Sequence, residues 1–391
     1  MKSKIIACGA GLALMLLSAA GAVGQIRITG QASADYVKSN PGPSQYVVNS
    51  GRGTFGWRLD LFGDAMIAEN IYFFSNFRLS QDLIPHIDQL AIRLTDLLST
   101  GVSAEVGEID LPFGDLGNRR FPLTNPFIDL PLTHEHLTSL RSSDYYLFTY
   151  DSRYTEAGNG LRLIDQGLYD LGAKLYGGTG IFDVAIALSN GMISSSSAYA
   201  GGYSSAGLNE TGGLGKIVRL TVTPATGIVI GSSYASGAFI RQNNYYLSDY
   251  DPQSMPQHIV EGDFDIGFGH WTMYGEAFYN TWELGEAIGA DLKAFGYSVE
   301  TQFVPVPRIS FALRAGEILF NSVSADLAPA GYGPRHFEGK WDHDVLRLEA
   351  AAGYRLDRSA LLKVVFQWNR TMDVAEDPAD NVLAFQLVTG F

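Results

Sequence analysis

Phe55-Gly56-Trp57-Arg58-Leu59-Asp60-Leu61 changes character at every step: Phe55, Trp57, Leu59 and Leu61 are apolar, and Arg58 and Asp60 between them are charged. A period of two is the signature of a β-strand with one greasy and one wet face. The pattern returns along the chain. Ile71, Phe73, Phe77 and Leu79 oppose Tyr72, Asn76 and Arg78; Leu90, Ile92 and Leu94 oppose Ala91, Arg93 and Thr95. Phe182, Val184, Ile186 and Leu188 oppose Asp183, Ala185 and Ser189, and Val218, Leu220 and Val222 oppose Arg219 and Thr221. The last turn of the pattern sets Leu383, Phe385, Leu387 and Phe391 against Ala384, Gln386 and Gly390. Two architectures accept such strands, a soluble antiparallel sheet and a closed barrel in lipid.

The connections separate the two. Short links fall at Asp64–Glu69, Leu97–Thr100, Gly177–Gly180, Pro224–Thr226, Gly269–His270, Pro305–Pro307 and Asp357–Ser359. Long ones fall between them at Val37–Arg52, Asp110–Gln166, Asn190–Gly215, Ile240–Gln257 and Asn321–His343. Alternating short turns and long loops mark a membrane barrel whose rims face different compartments, and soluble sandwiches have no cause to alternate this way. The chain therefore reads as all-β, a closed antiparallel transmembrane β-barrel of about 16 strands, each on the order of 9–12 residues. Strand centres are expected near Ile28, Leu59, Phe74, Ile92, Ala104, Gly172, Ala185 and Arg219, then Gly231, Asp263, Gly275, Val299, Ala312, Leu348, Val365 and Gln386. Aromatics near the strand ends, Tyr36, Phe62, Tyr72, Phe268, Trp271, Tyr279, Trp282 and Trp368, are expected as interfacial girdles.

Composition agrees with this reading and removes other classes. Of 391 residues, 46% are hydrophobic and 12% aromatic, too many for a disordered chain. The net charge of -14 argues against nucleic acid as a partner. Lys2 and Lys4, the apolar run Ile5–Leu17 and the small residues Ser18–Gly24 read as a secretory signal peptide over residues 1–24. Its removal takes with it Cys8, the only cysteine, so no disulfide framework or thiolate metal site is expected. Residues 25–391 are then a single transmembrane β-barrel with a long loop at 110–166, and nothing after Gly24 approaches the apolar length of a membrane helix.

The terminal Phe391, with Leu387 and Phe385 at alternate positions, resembles the closing signature of Gram-negative outer-membrane barrels. A second likeness lies in Val106-Gly107-Glu108-Ile109-Asp110-Leu111-Pro112-Phe113-Gly114, which resembles a strand-end turn of the phosphate-selective porin O/P group. Lys216–Pro224 followed by Gly227–Gly237, and Gly275-Glu276-Ala277-Phe278, are similar to strand units of the same porins. The resemblance implies a porin of the outer membrane, in contact with outer-membrane lipids, monomeric or a homotrimer, whose Phe391 is read by the outer-membrane assembly machinery. It implies passive diffusion of small polar solutes or ions through a water-filled lumen. The chain departs from that group in being acidic and poor in lysine, so the anion preference is not carried over.

The polar strand faces supply the candidate pore lining. Strands near the two chain ends offer Arg27, Arg58, Arg78, Arg93, Arg314, Arg347 and Lys363. The middle strands offer Asp170, Asp183, Glu261, Asp263, Asp265, Glu276 and Glu300. Asp60, Glu105 and Glu349 break the basic half, and Lys174 and Arg219 the acidic half. Such a separation would set a transverse field across the lumen. The 110–166 loop carries Pro112, Pro122, Pro126 and Pro131, apolar Phe121, Phe127 and Leu130, and the basic residues Arg119, Arg120 and Arg141. It is either a constriction loop folded into the barrel or an external cap. His134-Glu135-His136 lacks the spacing of a helical zinc motif and reads as an exposed polar stretch. No catalytic fingerprint stands out, and no cofactor or metal is implied. The expected function is a porin; the rival is a plugged structural or adhesion barrel whose external loops bind a partner.

Overall fold

The computed structural model describes residues 26–40, 53–81, 83–140, 160–164, 168–194, 211–242, 250–327, 335–374 and 381–391. The strands in chain order are β1 (Ile26–Ser39), β2 (Gly53–Ala68), β3 (Ile71–Ser80), β4 (His86–Leu94), β5 (Ser103–Asp110) and β6 (Tyr169–Thr179). They continue with β7 (Phe182–Ser189), β8 (Gly215–Ala225), β9 (Ile228–Ala238), β10 (Pro256–Phe268), β11 (Trp271–Trp282) and β12 (Leu292–Val306). The remainder are β13 (Ile309–Phe320), β14 (Ser322–Leu327), β15 (Arg335–Lys340), β16 (Val345–Arg355), β17 (Ala360–Thr371) and β18 (Val382–Gly390).

Sixteen of these strands close into one antiparallel barrel, and every expected strand centre falls within it. β1 seals the cylinder against β18, from Gln31 opposite Gly390 to Ser39 opposite Val382. Closure leaves no row of unpaired amides at an edge, a condition for any sheet that faces hydrocarbon. β14 and β15 form a separate hairpin inside the loop expected at 321–343. All seven short turns lie on one rim. Five of them hold two residues; in the Gly269-His270 turn a positive φ of 59° suits glycine.

Burial alternates as the sequence does on strands such as β10, β13, β17 and β18. Ile28, Phe55, Val106, Leu313 and Phe366 stand exposed on the outside, while Asp60, Glu276, Arg347 and Lys363 are almost wholly buried within. An apolar skin around ionised interior groups is a protein turned inside out, stable only where hydrocarbon surrounds it. Of the girdle aromatics, Tyr36, Phe268, Trp271, Tyr279 and Trp368 lie on the outer face. Three do not. Phe62 turns inward onto Phe121, with ring centroids 5.0 Å apart. Tyr72 stacks inside on Phe74, opposite Arg93, and Trp282 is fully buried edge-on to Trp341 at 5.3 Å. Each occupies the polar parity of its strand, and inward segments supply the ring partner of Phe62 and of Trp282.

Candidate pore and its inward loop

The chain leaves the wall at the end of β5. Leu111 N–H donates to Leu168 O (2.7 Å), which closes the β5–β6 ladder beneath the departing loop. Gly114, with φ 61°, turns the backbone across the lumen, and its N–H reaches Ser233 Oγ on β9 (3.0 Å). From there the segment crosses the barrel, includes the short helix α1 (Leu132–Glu135), and returns. Residues 111–140 therefore run inside the barrel wall, in contact with strands on opposite sides of it. Arg141 lies outside the described residues.

Charge dictates where each part of the loop docks. Its cations go to the acidic wall. Arg119 binds Asp265 (2.9 Å), lies 3.9 Å from Glu300 and stacks on the Tyr274 ring at 3.8 Å. Its anions and carbonyls go to the basic wall. Glu135 receives Arg347 (2.6 Å), and the Lys363 ammonium donates to the carbonyls of Pro122, Asn125 and Phe127 at 2.8–3.0 Å. Arg314 donates to the Asp129 and Leu130 carbonyls while holding Glu349. On the acidic side, Thr133 donates to Glu276 (2.5 Å) and His134 meets the same carboxylate at 3.0 Å. Three donors on one lysine use all its protons, so the ammonium is buried without an orphaned donor. Arg120 folds back to Asp110 at the loop's own root (2.8 Å).

The loop also brings an apolar side. Phe113, Leu116, Leu132, Leu140, Leu161 and Leu163 pack with inward-facing Ile217, Ile259, Phe278, Trp282, Ile318 and Phe320. Greasy residues at the polar parity of β8–β13 thus meet a partner rather than water.

These contacts revise the pore lining. Arg314, Arg347, Lys363, Asp170, Glu261, Asp263, Glu276 and Glu300 face inward but are at most 5% exposed. The loop meets Arg314, Arg347, Lys363 and Glu276, the Gly191 amide meets Asp170, and Arg219 of the wall meets Glu261 and Asp263, while Glu300 still borders an open cavity. Arg58, Arg78 and Arg93 remain partly exposed on β2–β4, joined by Lys174 on β6. Arg27 and Asp183 sit at the short-turn rim, with Arg27 paired to Asp64 at 3.5 Å. A cavity of about 380 Å³ stays open between the loop and β10–β12, lined by Asp115, Arg119, Thr124, Asp265, Glu300 and Gln302 among others.

The residues that broke the two charge halves are the counterions. Asp60 takes Arg58 (2.8 Å), Glu105 bridges Arg93 and Lys174, Glu349 takes Arg314, and Asp263 takes Arg219 (2.6 Å). Local pairing and the loop together cancel much of the transverse field expected from the wall. In the His134-Glu135-His136 stretch, expected to be exposed, both histidines are buried and Glu135 is half-buried, because α1 presses it between β11, β13 and β16. Asp129, Glu135 and Thr133 were missed as site residues. For Asp129 and Glu135 the available signal was acidic charge in a loop facing basic wall residues; the neutral Thr133 carried none.

Burial, and next Glu135, push the Asp129 carboxyl in the loop up to about 7. A raised carboxyl keeps its proton when docked, so docking weakens as pH climbs from about 4 towards 7. His136, held down to about 3 by burial and by Arg347, acts in the opposite sense between about 3 and 6.5. Asp129→Asn should remove the first component. Between pH 5 and pH 8 the two components largely offset each other in the wild type, whereas in the variant only the His136 component remains, so loop proteolysis should fall from pH 5 to pH 8 more steeply in the variant than in the wild type.

The barrel is of the sixteen-stranded porin type. Among solved structures the chain is similar to the anion-selective porin from Comamonas acidovorans, at 9% identity and a TM-score of 0.59, covering 94% of this chain and 100% of that one. It is also similar to OmpF of Salmonella typhi in complex with daunomycin, at 10% identity and a TM-score of 0.55, covering 94% and 97%. OprB of Pseudomonas putida matches at 11% identity and a TM-score of 0.54, covering 98% and 97%. At these identities the likeness is one of fold. No family model and no curated protein matches the chain.

Proposed function

We propose that this protein is an outer-membrane porin that passes small polar solutes or ions by diffusion. The inward loop sets its constriction. The observation that carries this reading is the loop itself, docked on both charged walls while Arg58, Arg78, Arg93 and the cavity beside Arg119 keep contact with solvent. A wet, charged passage inside an apolar cylinder performs selection by size and charge and needs no covalent step. The fold shared with outer-membrane porins supports the location, and the trimer form of Vibrio cholerae OmpT among the similar structures supports a homotrimer as one assembly. The phosphate-selective O/P group remains a resemblance of short motifs.

Arg119 is the single cation among the described residues lining that cavity, against Asp115, Asp265 and Glu300. Arg119→Ala should shift the reversal potential in a salt gradient towards cation selectivity. An unchanged potential would remove the cavity from the conduction path.

The plugged-barrel reading has one observation in its favour, the apolar packing of the loop against β8–β13. It requires a silent wild-type protein whose conduction appears only when the loop is removed.

A further inference from the structure

Strand register aligns five hydrogen-bonding side chains in one row on the outer face near the long-loop rim. Lys216 on β8 stands opposite Ser236 on β9, Ser236 opposite His258 on β10, His258 opposite Thr281 on β11, and Thr281 opposite Lys293 on β12. One pleat nearer the turns, the same strands present Val218, Tyr234, Val260, Tyr279 and Phe295, each at least 40% exposed. The polar row therefore begins where the apolar skin stops, on the order of 7 Å further along the strands.

The middle of the row is held rigid. The Tyr234 hydroxyl meets His258 Nδ1 at 2.8 Å, and His258 Nε2 meets Glu283 at 3.3 Å. The two lysines at its ends have no carboxylate partner among the described residues. The neighbouring acids are engaged: Glu283 by His258, Glu317 by the Tyr297 hydroxyl (2.9 Å), and Asp291 by the Gly285 amide (3.1 Å). Four strand intervals put the lysine backbones roughly 19 Å apart, a span their long side chains can close from both ends.

We propose that this row is a binding site for the phosphate-bearing headgroup of a membrane lipid, gripped between Lys216 and Lys293. Ser236 and Thr281 lend hydroxyl donors, and the acyl chains lie along Val218, Val260 and Phe295. A lipid is the occupant because the site is amphipathic along the membrane normal: charge above, hydrocarbon surface directly below. A soluble anion would use the first and leave the second bare. The inference goes beyond solute passage, since all these residues face away from the lumen.

The test uses the full protein in phosphatidylcholine vesicles with spin-labelled phosphatidic acid or spin-labelled phosphatidylcholine. The wild type should restrict the phosphatidic acid label preferentially, and each of Lys216→Gln and Lys293→Gln should lower that preference about fivefold. Conductance of the variants should match the wild type, which shows that the barrel is intact. Equal restriction of the two labels by the wild type, or an undiminished preference in the double variant, would overturn the proposal. Inorganic phosphate alone, titrated in unlabelled vesicles, separates the sources. Saturable binding lost in the double variant, with no preference for the lipid label, would assign the row to a free anion and also overturn it.

Discussion

Replacing residues 113–166 with a short hairpin should raise single-channel conductance about threefold or more, because a bare sixteen-stranded barrel leaves an aqueous channel. The edit respects the wall, since Leu111 and Leu168 already share a hydrogen bond at the top of the β5–β6 ladder. What leaves is the segment that covers Glu276, Arg314, Arg347 and Lys363 and fills the lumen beside β8–β13. Those wall charges then meet water, which solvates them as well as the loop did. Conductance equal to the wild type would mean that the loop does not stand in the ion path.

Arg347→Met should loosen the loop at its far anchor. The arginine is 1% exposed and divides its guanidinium between Glu135 on α1 (2.6 Å) and Asn369 on β17 (2.7 Å). Breaking one side of a buried pair costs about 3–5 kcal/mol, because the remaining charge stays desolvated without compensation. The undocked population should grow at least about 100-fold on that scale. Open-channel noise and protease cleavage within 114–135 read it directly. Arg347→Met with Glu135→Gln should recover most of the loss, since no uncompensated carboxylate then remains. A quiet, protease-resistant single variant would show that the apolar packing alone holds the loop.

Much of the fold was legible because period-two alternation is a local property. Phe55 to Leu61 declares its two faces without knowledge of any partner strand, and the seven short turns announce the spacing. Facing was lost where inside and outside shared one chemistry. Trp282 and Phe62 have the composition of girdle residues but share the inward parity of Glu276 and Asp60, and Trp341 and Phe121 supply the apolar partners that make this tolerable. The site was harder for the same reason. Arg347 and Lys363 were identifiable as inward charges, but a sequence does not say whether the facing group is water or the carboxylate of a residue some two hundred positions away. Asp60, Glu105 and Glu349 looked like interruptions of a basic wall. In three dimensions they are its counterions, placed by strand register that one-dimensional spacing does not reveal.

Accessibility of introduced thiols tests the inside-out cylinder most directly. With Cys8 replaced by serine, no native cysteine remains, so each new one reports alone. Arg93→Cys should react with a charged, water-soluble thiol reagent and alter the conductance, while the adjacent Ile92→Cys, 47% exposed on the outer face, should stay unmodified in the bilayer. Rapid labelling at position 92 with protection at position 93 would invert the two faces and contradict the account.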